Sequence, residues 1–243
     1  MLSPSNMRFA AIMFFVLLLV ALSAPAQAEN NSLTFQENFQ PVSPGPIAVV
    51  LSGASGPEFY RDYAVKLASL GYYSVLLDGR DILSREKDGL GNLQKAISEA
   101  QTSKFAIPGK VAVIGFSQGG GGALLHAATL SEQVSMVVAY YPAVSWSSNM
   151  AWFAGRFQVP ILVLAGERDR WNSCCLIESM RGLESAAVAR KAQFELVVYP
   201  QAEHGFNLSM GAFPGSYRAE DADDAWHRTT AMLNKFQPLR RNQ

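Results

Sequence analysis

Ser117 stands in Gly115-Phe116-Ser117-Gln118-Gly119, where an apolar run that begins after Lys110 passes into a row of glycines and a helix-like segment. A serine in this G-x-S-x-G setting reads as a nucleophile elbow. Small residues two places before and after it keep the backbone from clashing, and the hydroxyl is held out toward a substrate. The helix that follows aims free N–H groups at the same point, which favours negative charge developing there. A serine hydroxyl is a poor nucleophile at neutral pH, so it needs an adjacent base, usually histidine, itself held by a carboxylate.

The chain contains 3 histidines. His126 follows Ser117 on the same predicted helix, about 13 Å farther along at 1.5 Å per residue, and cannot reach back. His227 falls inside a predicted C-terminal helix whose usual role is to cover the fold. His204, in Ala202-Glu203-His204-Gly205-Phe206, follows a predicted strand at 194–199 by a short loop. For the carboxylate, Asp169 follows a predicted strand at 160–165, in Gly166-Glu167-Arg168-Asp169, with Glu167 and Asp78 as rivals. Attack on a carbonyl creates an oxyanion that needs preorganised donors. The backbone N–H of Gln118 supplies one, and Ala54 in Ser52-Gly53-Ala54-Ser55-Gly56 is the expected second. Glycine inside a helix costs roughly 0.8 to 1.0 kcal/mol relative to alanine. The run 119–122 therefore implies either a close strand–helix crossing or a crowded site.

The elements that must position these residues follow from periodicity. Short apolar runs at 47–51, 73–77, 110–116, 136–141, 160–165 and 194–199 read as buried strands, with a looser edge strand at 32–39. Helical spacing separates them, notably at 60–70, 90–103 and 219–236. Strands alternating with helices imply an α/β fold: a mostly parallel sheet with right-handed crossovers and helices on both faces. Ligand sites in such sheets lie at the carboxyl ends of the strands. Ser117, Asp169 and His204 all follow predicted strands there.

The 243 residues are 49% hydrophobic and 16% charged, as expected of a packed globule. Arg8 precedes an apolar run at 9–22 that is followed by Ser-Ala-Pro-Ala-Gln-Ala, an A-x-A cleavage pattern. The run is shorter than the roughly 20 residues of a spanning helix. Residues 1–28 thus read as a secretory signal peptide and 29–243 as one domain, secreted or periplasmic. Cleavage removes one arginine and no acid, leaving the acidic residues one ahead of the basic ones. No basic patch suggests nucleic acid, and no second long apolar segment suggests stable membrane insertion after cleavage. The sequence does not specify an oligomeric state. Cys174 and Cys175 are adjacent, and a bond between neighbours closes a strained small ring. The plainer reading is one buried and one partly exposed thiol on a helix, with a vicinal or intermolecular disulfide as the alternative in an oxidising compartment. No histidine or further cysteine adjoins them in sequence to complete a metal ligand set.

The motifs GFSQGG, GERD and YPQAEHGF, spread over nearly all of 29–243, resemble the dienelactone hydrolase family of α/β-hydrolases. The resemblance implies a small fold without a cap, and the short interval 141–160 leaves no room for one. It implies Ser117, Asp169 and His204 in the chain order nucleophile, acid, histidine, with Ala54 and Gln118 at the oxyanion positions. In three respects the chain departs from the family. Serine stands where its best-known members have cysteine, and Gly53 stands at about the place of a glutamate. The arginine that such members carry shortly after the histidine is replaced by Gly205-Phe206-Asn207-Leu208, which leaves Arg80 as the candidate anion contact. The expectation is therefore a serine hydrolase for small carboxylic esters or lactones, needing no cofactor. Phe59, Tyr60, Trp146, Trp152 and Trp171 are candidates to line its pocket. A peptidase or acyltransferase on the same triad, or a noncatalytic binding protein, are the alternatives.

Overall fold

The computed structural model describes residues 32–209 and 211–239. The predicted signal peptide and the terminal Arg240-Arg241 lie outside the described residues. Seven strands form one sheet: β1 (Gln36–Phe39), β2 (Gly45–Leu51), β3 (Tyr73–Leu77), β4 (Ala106–Phe116), β5 (Val134–Tyr140), β6 (Ile161–Gly166) and β7 (Phe194–Tyr199). Their spatial order is β1-β3-β2-β4-β5-β6-β7. Only β1 runs antiparallel, pairing with β3; every other pairing is parallel. The predicted edge strand at 32–39 is thus shorter than its sequence suggested.

The helices are α1 (Arg61–Leu70), α2 (Gly89–Gln101), α3 (Gln118–Leu125), α4 (Met150–Ala154), α5 (Ile177–Ala189) and α6 (Ala219–Phe236). Strand side chains alternate between the two faces of the sheet. From β2, Ile47, Val49 and Leu51 enter one core with Leu93 and Ile97 of α2, Leu124 of α3 and Leu183 of α5. Ala48 and Val50 enter the other, with Ala64 and Leu67 of α1 and Leu233 of α6. Because both faces are covered, the central strands read as unbroken apolar runs. Gly71, with φ 114°, ends α1 in the left-handed conformation that glycine accepts readily. Between β5 and β6 the chain forms only the five-residue α4, so no cap rises over this edge.

The topology makes a crevice. Strands β2 and β4 are neighbours, yet α1 after β2 packs on one face and α3 after β4 on the other. Loops leaving adjacent strand ends in opposite directions open a gap between them, the usual ligand position in such sheets. Their register, with Leu51 beside Gly115, brings loop 52–56 level with Ser117.

Candidate active site

Ser117 occupies the turn between β4 and α3 with φ 50° and ψ −114°, a conformation that costs a non-glycine residue on the order of 1–3 kcal/mol. The surroundings hold it there. Ser117 N–H donates to Tyr140 O at 3.0 Å, Ala143 N–H donates to Ser117 O at 2.8 Å, and Gly119 N–H donates to Ser52 O at 3.1 Å. The preceding Phe116 is fully buried, its ring 4.8 Å from Tyr60 and 4.7 Å from Tyr140, and so anchors the turn from below. A side chain at Gly115 would strike the backbone of Gly119 and Gly120, and one at Gly119 the carbonyls of Leu51 and Ser52. Gly120 faces Pro142, Gly121 the Ala143 carbonyl and Gly122 the Ile82 side chain. The glycine run answers to close packing: 119 against the end of β2, and 120–122 against residues around α3.

His204 follows β7, and its loop is pinned by the buried Phe206, which packs against Tyr199 and Tyr141. Its Nε2 lies 3.0 Å from Ser117 Oγ and its Nδ1 2.7 Å from Asp169 Oδ2. A carboxylate only accepts hydrogen bonds, so Nδ1–H donates to Asp169, and Nε2 is left to accept from the Ser117 hydroxyl. The other oxygen, Asp169 Oδ1, accepts from Trp171 N–H at 3.0 Å. Asp169 is fully buried, and His204 and Ser117 are nearly so. The rival carboxylates are committed elsewhere: Glu167 pairs with Arg181 at 2.7 Å, and Asp78 with Arg80. His126 caps the end of α3, and His227 is exposed on α6.

Loop 52–56 closes against the nucleophile. A side chain at Gly53 would begin 3.3 Å from Ser117 Cβ and overlap the Tyr60 hydroxyl, so the residue before Ala54 adjoins the elbow. Tyr60 thus fills the space into which a glutamate at 53 would extend. Arg80, the candidate anion contact, is paired with a carboxylate: its Nε donates to both Asp78 oxygens at 2.9 Å, which partly offsets its charge.

Beside His204 lies an open cleft of about 510 Å³ lined by Arg168, Arg170, Trp171, Glu203, His204 and Phe213. Trp171 stacks on the His204 ring at 5.9 Å between centroids and meets Phe213 edge-on at 5.0 Å. Trp146 and Trp152 pack around Phe153 instead, half exposed. Phe59 lines a separate pocket between α1 and α6, and Tyr60 is wholly buried. Sequence reasoning passed over Tyr141, whose ring lies 4.6 Å from His204 and whose hydroxyl donates to Asn207 Oδ1 at 2.8 Å. Its position one residue past the end of β5 was the available signal. Phe213 and Arg168 were also missed.

The cysteines correct the plainer sequence reading. Cys174 and Cys175 are disulfide-bonded to each other and lie in a turn ahead of α5 rather than on a helix. Asn172 and Ser173, both with positive φ, wind the chain here, and the Cys174 carbonyl accepts from Val144 and Ser145 N–H. The fold also brings both sulfurs to within 4.8 Å of a His204 ring nitrogen, a neighbour the sequence did not reveal. With both sulfurs in the disulfide, the cluster offers no thiolate to a metal.

A mostly parallel sheet with a serine elbow at the crevice beside its central strand defines an α/β-hydrolase. The dienelactone hydrolase family model matches residues 78–237, and the chain belongs to that family. A Yersinia pestis protein named "Putative carboxymethylenebutenolidase" is 29% identical over 240 residues, covering 87% of this chain and 85% of its own. Among solved structures, a Klebsiella pneumoniae protein described as a "Putative Dienelactone Hydrolase" superposes with a TM-score of 0.70 at 22% identity, covering 85% of this chain and 100% of that one. A dienelactone hydrolase-like promiscuous phosphotriesterase from metagenomic libraries gives a TM-score of 0.66 at 19% identity, with 84% and 99% covered.

Proposed function

We propose that this protein hydrolyses small carboxylic esters or lactones through an acyl-enzyme on Ser117. The observation that carries the reading is the unbroken hydrogen-bond chain from Ser117 Oγ through His204 to Asp169. Ser117 Oγ adds to the carbonyl carbon while His204 Nε2 takes its proton. The oxyanion is held by the backbone N–H groups of Gln118 and Ala54. His204 then protonates the leaving alkoxide, and in the second half it activates water to release the acid. Asp169 holds the imidazole in the tautomer that this sequence of transfers needs. The open cleft suits a small substrate with an aromatic or planar leaving group against Trp171 and Phe213.

Purified protein should hydrolyse short-chain aryl esters, and Ser117→Ala should reduce the rate to background. Equal rates in the two proteins would sink the reading. We also place the activity outside the cytoplasm, on the strength of residues 1–28. Amino-terminal analysis of the protein recovered from the producing cell should begin near Glu29, and an intact amino terminus would refute export by cleavage.

A further inference from the structure

Tyr60 carries a buried polar group that the triad leaves unused. It closes the 3-10 turn ahead of α1, is fully buried, and packs its ring on Phe116. Ser55, Tyr141 and the Gly53 backbone lie near enough to its hydroxyl to interact as weak hydrogen-bonding neighbours, but none is in full hydrogen-bonding geometry with it. The Ser55 hydroxyl, in the same loop, is buried and unpaired as well. Leaving one such group unsatisfied costs about 1–3 kcal/mol, and buried orphans in native structures ask for a reason.

Position supplies the reason. The Tyr60 hydroxyl lies where a Gly53 side chain would begin, and that same point is 3.3 Å from Ser117 Cβ. It therefore flanks the residue before Ala54, on the side facing the nucleophile. Burial raises its pKa, which keeps it a proton donor throughout the neutral range. In the free protein the oxygens around it are neutral and poorly aligned, and the reaction creates a charged acceptor beside it.

We propose that the Tyr60 hydroxyl is a third donor to the oxyanion, alongside the backbone N–H groups of Gln118 and Ala54. As Ser117 Oγ bonds to the carbonyl carbon, the C=O π pair moves onto oxygen, and Tyr60 donates a hydrogen bond to it. The Ser117 proton goes to His204 Nε2, and Tyr60 keeps its own. When the intermediate collapses, the pair returns to the C=O bond, the leaving group departs with the His204 proton, and Tyr60 is unpaired again. A donor that makes no well-formed bond in the ground state contributes most where charge develops, which is the kind of interaction that raises kcat. This inference rests on the serine-hydrolase reading above.

The test compares wild type, Ser117→Ala and Tyr60→Phe on a short-chain aryl ester, with affinity for a trifluoromethyl ketone that forms a tetrahedral adduct on Ser117. Tyr60→Phe should lower kcat by a factor on the order of 10² with little change in KM, and should weaken the ketone by a similar factor. Its melting temperature should hold or rise, because the change deletes an unpaired hydroxyl. Wild-type kcat and ketone affinity in Tyr60→Phe would overturn the proposal while leaving the triad standing. So would a loss of activity that only tracks a loss of stability. Wild type no faster than Ser117→Ala would instead refute the underlying reading. If Tyr60→Phe does not fold, 3-fluorotyrosine at position 60 keeps the shape and strengthens the donor. The ketone should then bind more tightly, and unchanged affinity would overturn the proposal.

Discussion

Asp169 holds His204 with one carboxylate oxygen and the Trp171 backbone N–H with the other. The carboxylate that orients the base is thereby tied to the start of the cleft wall, and neither oxygen is left to rotate. Replacing Asp169 with Asn keeps the size but puts an NH₂ opposite His204 Nδ1 or leaves the wrong tautomer facing Ser117. Asp169→Asn should lower kcat by a factor on the order of 10⁴. Steady-state kinetics on an aryl ester should show this with circular dichroism unchanged, and a loss below tenfold would contradict the assigned role.

Arg168 lines the cleft and pairs with no carboxylate among the described residues, whereas Arg80 is bound to Asp78. A substrate with a free carboxylate should therefore feel Arg168. Arg168→Gln should raise KM several-fold for a carboxylate-bearing ester, as expected on losing about 1 kcal/mol of partly exposed ion pairing, while a neutral ester of the same size is little affected. Equal effects on both esters would show that position 168 does not read charge.

Gly119 has no room for a methyl group, because its neighbours there are the backbone carbonyls of Leu51 and Ser52. Gly119→Ala must push β2 and α3 apart, an overpacking that costs roughly 1–3 kcal/mol. The melting temperature and kcat should fall together, since the same shift moves the Gln118 N–H. An alanine variant with unchanged stability would mean that the crossing is looser than described.

The His126 imidazole titrates below its usual range because burial disfavours the charged form; Arg156 adds to this, while Asp88 and the Ile82 carbonyl oppose it. The unfolded chain then binds a proton at a pH where the folded one does not. Stability from this group is complete above the ordinary histidine value of about 6.5 and is lost as pH falls through the depressed folded value. Denaturant titrations should show His126→Gln with a flatter decline than wild type from neutral pH downward. Parallel curves would remove His126 from the account.

Much of this arrangement is legible in the sequence because parallel strands buried on both faces leave unbroken apolar runs, and the residue after each run is at the catalytic edge. That logic reaches Ser117, Asp169 and His204 without any knowledge of contacts. It fails for groups whose importance comes from meeting across the sheet. Tyr60 reads only as one of several aromatic candidates for a pocket wall, and it is the register of β2 against β4 that brings it and Gly53 to Ser117. Arg168 reads as a loop charge, indistinguishable in sequence from Arg80 until the latter is seen bound to Asp78. The cysteine pair misleads for a similar reason: the chain turns ahead of α5 through positive φ at both Asn172 and Ser173, and although asparagine accepts that conformation readily, serine does not announce it.

Trp171 stands half in solvent, with its indole stacked on His204. That makes it an optical reporter built into the wall of the cleft. A molecule entering beside His204 must displace water from one face of the ring, so occupancy will alter the emission of this tryptophan without any label. Because Ser117→Ala stops at the bound ester, the difference spectrum between that variant and its Trp171→Phe derivative separates capture of a substrate from its chemical conversion.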